Sequence, residues 1–220
     1  MPIAKGTRSI IVIILSSFIV SLIVAIIIGA IYTIYWHLTI LVAILVSCAF
    51  LIWNFRNPRR EIKLNPENIL AQADGNLIEI EEQKDGLYFV VRMSPFDVHM
   101  TRCPIEGVIT KIKFQKGSHW PVYFPNYAKR NQRNIIEINN DELGIKVIVT
   151  QVAGIFARRT ICYMEEQDKI QQGQVIGTIR FGSITSVKII SEKKFKVVEP
   201  TPKIARAGLT ILAKQENDSD

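Results

Sequence analysis

The sequence contains a long stretch without charged side chains: the 47 residues from Ser9 to Phe55 include no Asp, Glu, Lys or Arg. Such a run excludes a wholly soluble protein and indicates a membrane segment. As one helix it would extend about 70 Å, more than twice the roughly 30 Å thickness of the hydrocarbon layer. We therefore predict a two-helix transmembrane hairpin with spans at about 10–32 and 38–53. Its turn is predicted at 33–37, where aromatic rings favour the headgroup level.

Basic residues flank this run at both ends and indicate its orientation. Lys5 and Arg8 precede the run, and Arg56, Arg59 and Arg60 follow it. Because a hairpin leaves both flanks on one side, the positive-inside rule assigns that side to the cytoplasm. The predicted location is the cell membrane, with the following domain on its cytoplasmic face. A cleaved signal peptide would have a shorter apolar core, of about 7–15 residues. A single span plus an interfacial helix is the other alternative.

Net charge divides the chain in the same way. Of the formal charge of +7, residues 1–60 carry +5 without one acidic side chain, whereas residues 61–220 hold 22 basic and 20 acidic residues. The basic balance therefore reflects the flanks of a membrane segment, and no nucleic-acid partner is expected. We divide the chain into a membrane hairpin, 1–60, and a second domain, 61–220, which is long enough to bury a core.

Cysteines are few, and the common catalytic signatures are missing. The sequence has three cysteines, Cys48, Cys103 and Cys162, with no CxxC spacing among them. An odd number of widely spaced cysteines argues against a disulfide framework and a zinc knuckle. No HExxH, P-loop, GxSxG or GxGxxG motif occurs, so the usual signatures of zincins, nucleotide-binding proteins and serine hydrolases are absent. Asp97 and His99 lie close to Cys103 in sequence but lack a complete ligand set, and no metal site is predicted.

The second domain has the pattern of a β protein. Short runs of β-branched or aromatic residues, many alternating with polar ones, are separated by Gly, Asn and Asp turn signals. Amphipathic runs of helical length are nearly absent. We therefore predict a β-dominated, hybrid-like sandwich. The predicted strands are 76–81, 87–92, 107–114, 135–138, 145–149, 161–164, 186–190 and 195–199.

Six segments, in order from about residue 55 to 213, together carry a family resemblance. They are Phe55-Arg-Asn-Pro-Arg-Arg, Ala73-Asp-Gly, the segment 93–107 (Met-Ser-Pro-Phe-Asp-Val-His-Met-Thr-Arg-Cys-Pro-Ile-Glu-Gly), Asn131-Gln-Arg-Asn, Gln151-Val-Ala-Gly-Ile-Phe-Ala-Arg-Arg and Gly177-Thr-Ile-Arg-Phe-Gly-Ser. The set resembles the phosphatidylserine decarboxylase proenzyme family in its short, archaetidylserine decarboxylase-like form. The resemblance implies a self-cleaving precursor, a pyruvoyl group at the new chain start, and an aminophospholipid substrate with a serine headgroup.

The chemistry explains why such a precursor needs Gly182 and Ser183. Decarboxylation of an amino acid leaves an electron pair that only an electrophilic carbonyl can accept, and no natural side chain provides one. If the Ser183 hydroxyl attacks the carbonyl of Gly182, the resulting ester can eliminate and hydrolyse to a pyruvoyl group. Glycine suits the attacked position because it tolerates strained backbone angles. The predicted fragments are 1–182 and 183–220; without the resemblance, Gly-Ser is an ordinary turn.

The resemblance also implies a base for that serine. His99 matches the catalytic histidine of the family, and Asp74 matches the acid that would orient it. Taken alone, His99 could be a strand histidine whose hydrogen bonds are satisfied, and Asp74 a turn residue. Many long-form members carry a second histidine three positions later, where this chain has Arg102. His99 would therefore serve both cleavage and decarboxylation, or share the work with another group.

The remaining assignments concern binding. Arg158 and Arg159 could bind the lipid phosphate or headgroup carboxylate, because guanidinium groups pair with both; the alternative is a solvated or membrane-facing charge pair. An aromatic set around Trp120 and Phe124 either caps a loop, which we favour, or lies against the bilayer. Expected partners are the phospholipid substrate and the two cleavage fragments, with a second copy of the chain as a candidate.

Two functions compete with the decarboxylase. One is a non-enzymatic membrane adaptor built on a lipoyl-like hybrid sandwich. The other is a membrane serine hydrolase that uses Ser183 with His99. Only the decarboxylase requires cleavage next to Ser183, and only the hydrolase would accept a covalent serine probe.

Overall fold

The computed structural model describes residues 8–54, 56–121, 124, 126–155, 157, 159–179, 183–198 and 204–216. The chain forms two compact units, Met1–Leu51 and Ile52–Asp220. The helices in the described residues are α1 (Arg8–Asn54) and α2 (Tyr127–Arg130). The strands are β1 (Asn68–Leu70), β2 (Asn76–Gln83), β3 (Gly86–Met93), β4 (Met100–Arg102), β5 (Gly107–Gln115), β6 (Arg133–Asn140), β7 (Ile145–Val152), β8 (Thr160–Cys162), β9 (Lys169–Ile170), β10 (Val175–Ile179), β11 (Ser183–Ser191), β12 (Phe195–Val197) and β13 (Ile211–Gln215).

The described part of the N-terminal unit is one uninterrupted helix, which differs from the predicted pair of helices. Helix α1 continues through 33–37, where the turn was predicted. The physical reason is local, because this segment contains neither Gly nor Pro to break a helix. The Thr33 hydroxyl donates to the carbonyl of Gly29 at 2.8 Å, and the hydroxyls of Ser16 and Ser47 bond backward in the same way. These hydroxyls hydrogen-bond to carbonyls of their own helix, so they need no other partner in a bilayer. The long apolar helix supports membrane association.

The second unit is β-dominated, as predicted, and contains three sheets. The largest has the order β2-β3-β11-β7-β6-β5-β9, and every pairing in it is antiparallel. The two smaller sheets have the orders β1-β13-β12 and β4-β10-β8. Each of the eight predicted runs overlaps a strand. Five short strands, which are β1, β4, β9, β10 and β13, were not predicted.

A row of apolar side chains crosses the middle of the large sheet and forms part of the core. Val187 of β11 lies opposite Phe89 of β3 and Val149 of β7, and Val149 lies opposite Ile136 of β6. All four side chains are fully buried. Because residues opposite each other on antiparallel strands share a face, this row marks the inner face of the sheet. Thr185 and Ser183 project from the same face of β11, since side chains two residues apart point the same way.

Candidate active site

Most of the predicted site residues lie at one end of the large sheet, which we call the site edge. Strands β3, β5 and β7 end there, at Met93, Gln115 and Val152, and strands β2, β6 and β11 begin there. The connections that leave this edge include 94–99, 116–132 and 153–159. Asp74, His99, Arg159 and Ser183 therefore belong to segments that meet at the same edge, although they are far apart in sequence.

Buried polar side chains replace the apolar core close to this edge. Thr185 lies opposite Gln151 of β7, and Gln151 lies opposite Asn134 of β6. The Gln151 amide donates to the Thr101 hydroxyl at 2.8 Å and accepts from the Asn134 amide at 3.2 Å. The Gln72 amide donates to the Thr185 hydroxyl at 2.9 Å. Burying polar groups costs free energy unless they are bonded, so this network is typical of a site built for polar chemistry.

Ser183 is the first residue of β11, an interior strand of the large sheet. It lies opposite Met93 of β3 in a ladder that continues to Ile190. Its side chain is buried, and its hydroxyl has only a long contact, 3.5 Å, with the carbonyl of Ile184. The strand pairing holds the backbone while the hydroxyl keeps no strong hydrogen bond among the described residues. Gly182, the other half of the predicted cleavage site, lies outside the described residues.

His99 is tied to the segment that leads to Ser183. Its carbonyl accepts hydrogen bonds from the Ile179 amide at 3.0 Å and from the Thr178 hydroxyl at 2.8 Å. Two contacts hold this region: Met93 pairs with Ser183, and Ile179 bonds to His99. The chain segments 94–98 and 180–182 connect one contact to the other. Four residues span at most about 14 Å, which bounds the backbone separation of Ile179 from Ser183. His99 and Ser183 are 84 residues apart in sequence, but these contacts connect them through short segments of chain.

The surroundings of His99 favour its neutral imidazole. The side chain is buried, and burial lowers the pKa of His99 below its usual value. A hydrogen bond with the Asn54 backbone and the charge of Asp97 oppose this shift, whereas the nearby Arg56 adds to it. A neutral imidazole can accept a proton, which is the property a general base needs.

Asp74 is held by an arginine from the segment that follows α1. Both nitrogens at the end of the Arg60 guanidinium donate to the Asp74 carboxylate at 2.7 Å, and the Ala207 amide donates to it at 2.8 Å. Gly75 makes the turn there: its φ is +142°, and a Cβ atom would lie 2.2 Å from the Arg92 carbonyl oxygen. Among the described residues, the hydrogen bonds of Asp74 go to Arg60 and Ala207, and its role as the acid that orients His99 stays a prediction.

Sequence reasoning missed the roles of Arg60 and Arg102. The Arg102 guanidinium donates to the carbonyls of Gly173 and Pro58 and to the side chain of Asn57. Burial and the charge of Arg60 lower the pKa of Arg102, and Asp74 opposes them. The segment 56–60 is therefore fastened to the β domain by two buried guanidinium groups. The motif Phe55-Arg-Asn-Pro-Arg-Arg was the signal, but its arginines had been interpreted only as membrane-flanking charges.

The predicted arginine pair is described only in part. Arg159 is exposed at the site edge, between the ends of β7 and β8, whereas Arg158 lies outside the described residues. Exposure leaves Arg159 available to an anion. Within the described residues, no cluster of three or more His, Cys, Asp or Glu side chains could hold a metal ion.

These features define a class: a β domain attached to a long apolar helix, with a buried serine at the start of an interior strand of its large sheet. The sequence profile described as phosphatidylserine decarboxylase matches residues 48–213. The chain therefore belongs to the phosphatidylserine decarboxylase family. Its members are carboxy-lyases of phospholipid metabolism that are made as proenzymes.

Individual relatives span most of the chain. A phosphatidylserine decarboxylase proenzyme of Carboxydothermus hydrogenoformans is 30% identical over 75% of this chain and 79% of its own length. A Methanosarcina mazei proenzyme named for archaetidylserine decarboxylation is 35% identical over 76% of each chain. A phosphatidylserine decarboxylase proenzyme of Rhodopirellula baltica is 29% identical over 90% of this chain and 82% of its own length.

The ion pair between Arg60 and Asp74 generates a stability prediction. Both side chains are largely buried, so Arg60→Met leaves a carboxylate without its counter-ion and should lower the free energy of unfolding by about 3–5 kcal/mol. Adding Asp74→Asn to that variant should recover part of the loss, because the unpaired charge is removed. Chemical denaturation of the detergent-solubilised chain measures both changes.

A control uses a more exposed pair, which lies in the large sheet. Lys146 and Glu137 approach to 2.6 Å but are more accessible to water, so Lys146→Met should change the free energy of unfolding by only about 0–1 kcal/mol. Equal effects of Arg60→Met and Lys146→Met would contradict the importance assigned to the buried pair.

Proposed function

We propose that the chain is a precursor that cleaves itself between Gly182 and Ser183. The resulting enzyme would convert a phospholipid with a serine headgroup into the ethanolamine phospholipid. The observation that carries this proposal is the buried Ser183 at the start of the interior strand β11, in a chain that belongs to a family of decarboxylase proenzymes. The headgroup is the same whether the lipid tail is a diacyl ester or an isoprenoid ether, so the proposal covers both.

In the proposed cleavage, the Ser183 hydroxyl oxygen bonds to the carbonyl carbon of Gly182, and the peptide C–N bond breaks to leave an ester and a free amine. Loss of the Ser183 α-proton then expels the Gly182 carboxylate and forms dehydroalanine. Water replaces the nitrogen, ammonia leaves, and a pyruvoyl group remains at residue 183. His99, whose neutral form is favoured by burial, is the proposed acceptor of the hydroxyl proton.

The residues around Ser183 fit a pyruvoyl group and an amine-bearing substrate. The pyruvoyl group supplies an electron-accepting carbonyl to the headgroup amine. The pairing of β11 with β3 keeps residue 183 at the site edge. Gln72 is bonded to Thr185, two residues along the strand, and its buried side-chain oxygen receives no hydrogen bond from the described residues. An acceptor of this kind suits an N–H group of a ligand. Arg158 and Arg159 are the proposed ligands of the headgroup carboxylate or phosphate.

The two fragments should remain one protein after cleavage. Residues 183–220 contain the interior strand β11, which pairs with β3 on one side and β7 on the other, and β13, which pairs with β1. Separation would expose the fully buried Val187 and Ile189 and break both ladders. The second fragment is therefore a permanent partner of the first.

The proposal predicts two species in an active preparation. Denaturing mass spectrometry should find residues 1–182 and a 38-residue piece blocked by pyruvoyl, instead of one chain of 25.0 kDa. Ser183→Ala should stay uncut because the nucleophile is gone. Ser186→Ala, which alters a buried serine of the same strand, should cleave at the wild-type rate. An active, uncut wild-type chain that reacts with a covalent serine probe would instead support the hydrolase.

The state of His99 predicts a pH profile for cleavage. Because burial lowers the pKa of His99 from 6.5, the neutral base persists as the pH falls through 6.5. The cleavage rate should therefore decline only at more acidic pH. His99→Ala should slow cleavage by about 10²- to 10⁴-fold at neutral pH and accumulate precursor. Purified precursor assayed over a pH series measures this.

Two comparisons make the histidine test specific. His119→Ala changes a histidine in the loop between β5 and β6 and should cleave normally. Fragments that form slowly in His99→Ala should also decarboxylate poorly if the same imidazole serves both steps. Wild-type rates for both steps in His99→Ala would remove His99 from the mechanism.

We also propose that, in a bilayer, the segment 8–54, which is one continuous helix in the structure, crosses twice and leaves both ends at the cytoplasmic face. A straight helix of this length would extend about 70 Å, far beyond the roughly 30 Å hydrocarbon layer. The flanking basic residues, Lys5, Arg8, Arg56, Arg59 and Arg60, support the cytoplasmic side for both ends. The catalytic domain would then face the cytoplasm.

Cysteine labelling in intact cells tests this topology. Cys48 and Cys162 are first replaced by alanine; Cys103 can remain because burial raises its pKa to about 12, which suppresses its reactive thiolate. A membrane-impermeant maleimide should then label Tyr35→Cys from outside and should label Glu61→Cys only after lysis. External labelling of Glu61→Cys would contradict the cytoplasmic placement, and no external labelling of Tyr35→Cys would contradict the second crossing.

A further inference from the structure

Three loops at the site edge expose large apolar side chains to water. Phe96 follows β3, Trp120 and Phe124 lie between β5 and β6, and Ile155 follows β7. Their exposed fractions are 67%, 42%, 50% and 47%. The described turns at the opposite end of the sheet, 84–85, 141–144 and 192–194, expose no comparable side chain. A cluster of exposed apolar groups at one edge is typical of an interaction surface.

Two of these loops are fastened together by one buried side chain. The Asn131 amide donates to the carbonyls of Trp120 at 2.8 Å and Ala153 at 2.9 Å, and its oxygen accepts from the Trp120 amide at 2.9 Å. Trp120 and Phe124 pack edge to face with their ring centroids 5.8 Å apart. The Trp120 and Phe124 rings are therefore exposed although their neighbouring loops are bonded together through Asn131, and burial would be their more favourable state in water.

The charge of the same loops is mainly positive. Lys116, Lys129, Arg130 and Arg159 are exposed there, and the Arg130 guanidinium lies 5.4 Å from the Trp120 ring centroid. The one acidic residue in these loops, Asp97, accepts a hydrogen bond from the Ser94 amide. Aromatic side chains with neighbouring cations are the composition that favours the interface of an anionic bilayer.

The point at which the chain enters the β unit lies at this edge. The unit begins at Ile52, and the Arg56 guanidinium donates to the Phe96 carbonyl at 2.9 Å while lying 4.2 Å from the Trp53 ring centroid. The residues immediately after the apolar helix are therefore bonded to one of the three exposed loops. The covalent attachment of the membrane segment and the apolar loops lie at the same edge of the sheet.

We propose that Phe96, Trp120, Phe124 and Ile155 form a membrane-docking surface, whose occupant is the headgroup and upper acyl region of an anionic bilayer. The surface shares the site edge with Ser183 and His99. Docking would therefore bring the catalytic edge to the level of lipid headgroups, so that a substrate could react without leaving the bilayer. This surface goes beyond the proposed reaction, and its existence does not depend on cleavage.

Depth-dependent quenching of Trp120 fluorescence tests the surface in the full-length chain. Trp36→Phe and Trp53→Phe leave Trp120 as the single tryptophan. The protein is reconstituted into phosphatidylcholine–phosphatidylglycerol vesicles whose phosphatidylcholine carries bromine on its acyl chains. A reference chain lacks all three tryptophans and carries Tyr163→Trp, at a comparably exposed position outside the three loops (49% exposed). We expect bromolipid to quench Trp120 several-fold more than the reference.

A second experiment reverses positive charges in the loops of the proposed docking surface. Lys116→Glu with Lys129→Glu should reduce bromolipid quenching of Trp120 in anionic vesicles, whereas Lys193→Glu with Lys194→Glu, at the opposite end of the sheet, should leave it unchanged. Equal bromolipid quenching of Trp120 and the Tyr163→Trp reference would overturn the proposal. Protection of Trp120 from aqueous acrylamide that rises with the protein-to-lipid ratio, without bromolipid quenching, would also overturn it by identifying a second copy as the occupant.

Discussion

The antiparallel pairing of β11 between β3 and β7 is the constraint on which the site depends. Its register fixes Ser183 opposite Met93 and Val187 opposite both Phe89 and Val149. Because side chains alternate between the two faces, a slip of one residue would move Ser183 to the other face and expose the apolar row. The burial of Val187 and its neighbours therefore does two things: it stabilises the sheet, and it holds the proposed nucleophile at one position.

The connection between the apolar helix and the β domain is itself part of the site edge. Arg60 is bonded to Asp74, Arg102 to Asn57 and Pro58, and Arg56 to the Phe96 carbonyl. A flexible linker would let the domain sample many orientations and distances relative to its attachment point. Here the buried guanidinium groups of Arg60 and Arg102 would lose strong, charge-assisted hydrogen bonds if the segment 56–60 detached from the β domain. The position of the attachment point is therefore specified by the same residues that surround Asp74.

Local patterns predicted the parts of the fold that depend on local physics. The runs 87–92 and 107–114 lie in β3 and β5 because alternating β-branched and aromatic residues favour a half-buried strand. Strand β10 was missed because its bonds are made to distant residues, Arg102 and Cys162, that no local pattern specifies. The predicted turn at 33–37 came from bilayer thickness, whereas the chain there contains no residue that breaks a helix.

In the candidate site, too, local motifs predicted some residues, whereas contacts between distant residues were not predicted. The motifs predicted Ser183 and His99 as site residues, and the strand register brings their segments to one edge. The partner of Asp74 could not be read from the sequence, because Arg60 lies 14 residues earlier and its flanking position also suits a topology signal. A buried carboxylate is bonded by whichever cation and amide the tertiary fold brings to it. In this chain those are Arg60 and Ala207.

Arg102 determines how the proton transfers can be shared. It occupies the position where many long-form members of the family have a second histidine, and its guanidinium remains protonated and has no acceptor atom. Its side-chain nitrogens bond to Gly173, Asn57 and Pro58, so it serves to hold the chain and does not exchange protons. His99 is then the imidazole that we propose for both steps, because its carbonyl is bonded to the segment that leads to Ser183. The two proposed steps are compatible with one histidine because they would be separated in time: cleavage would be complete before a substrate could react, and the imidazole would return to its neutral form in between.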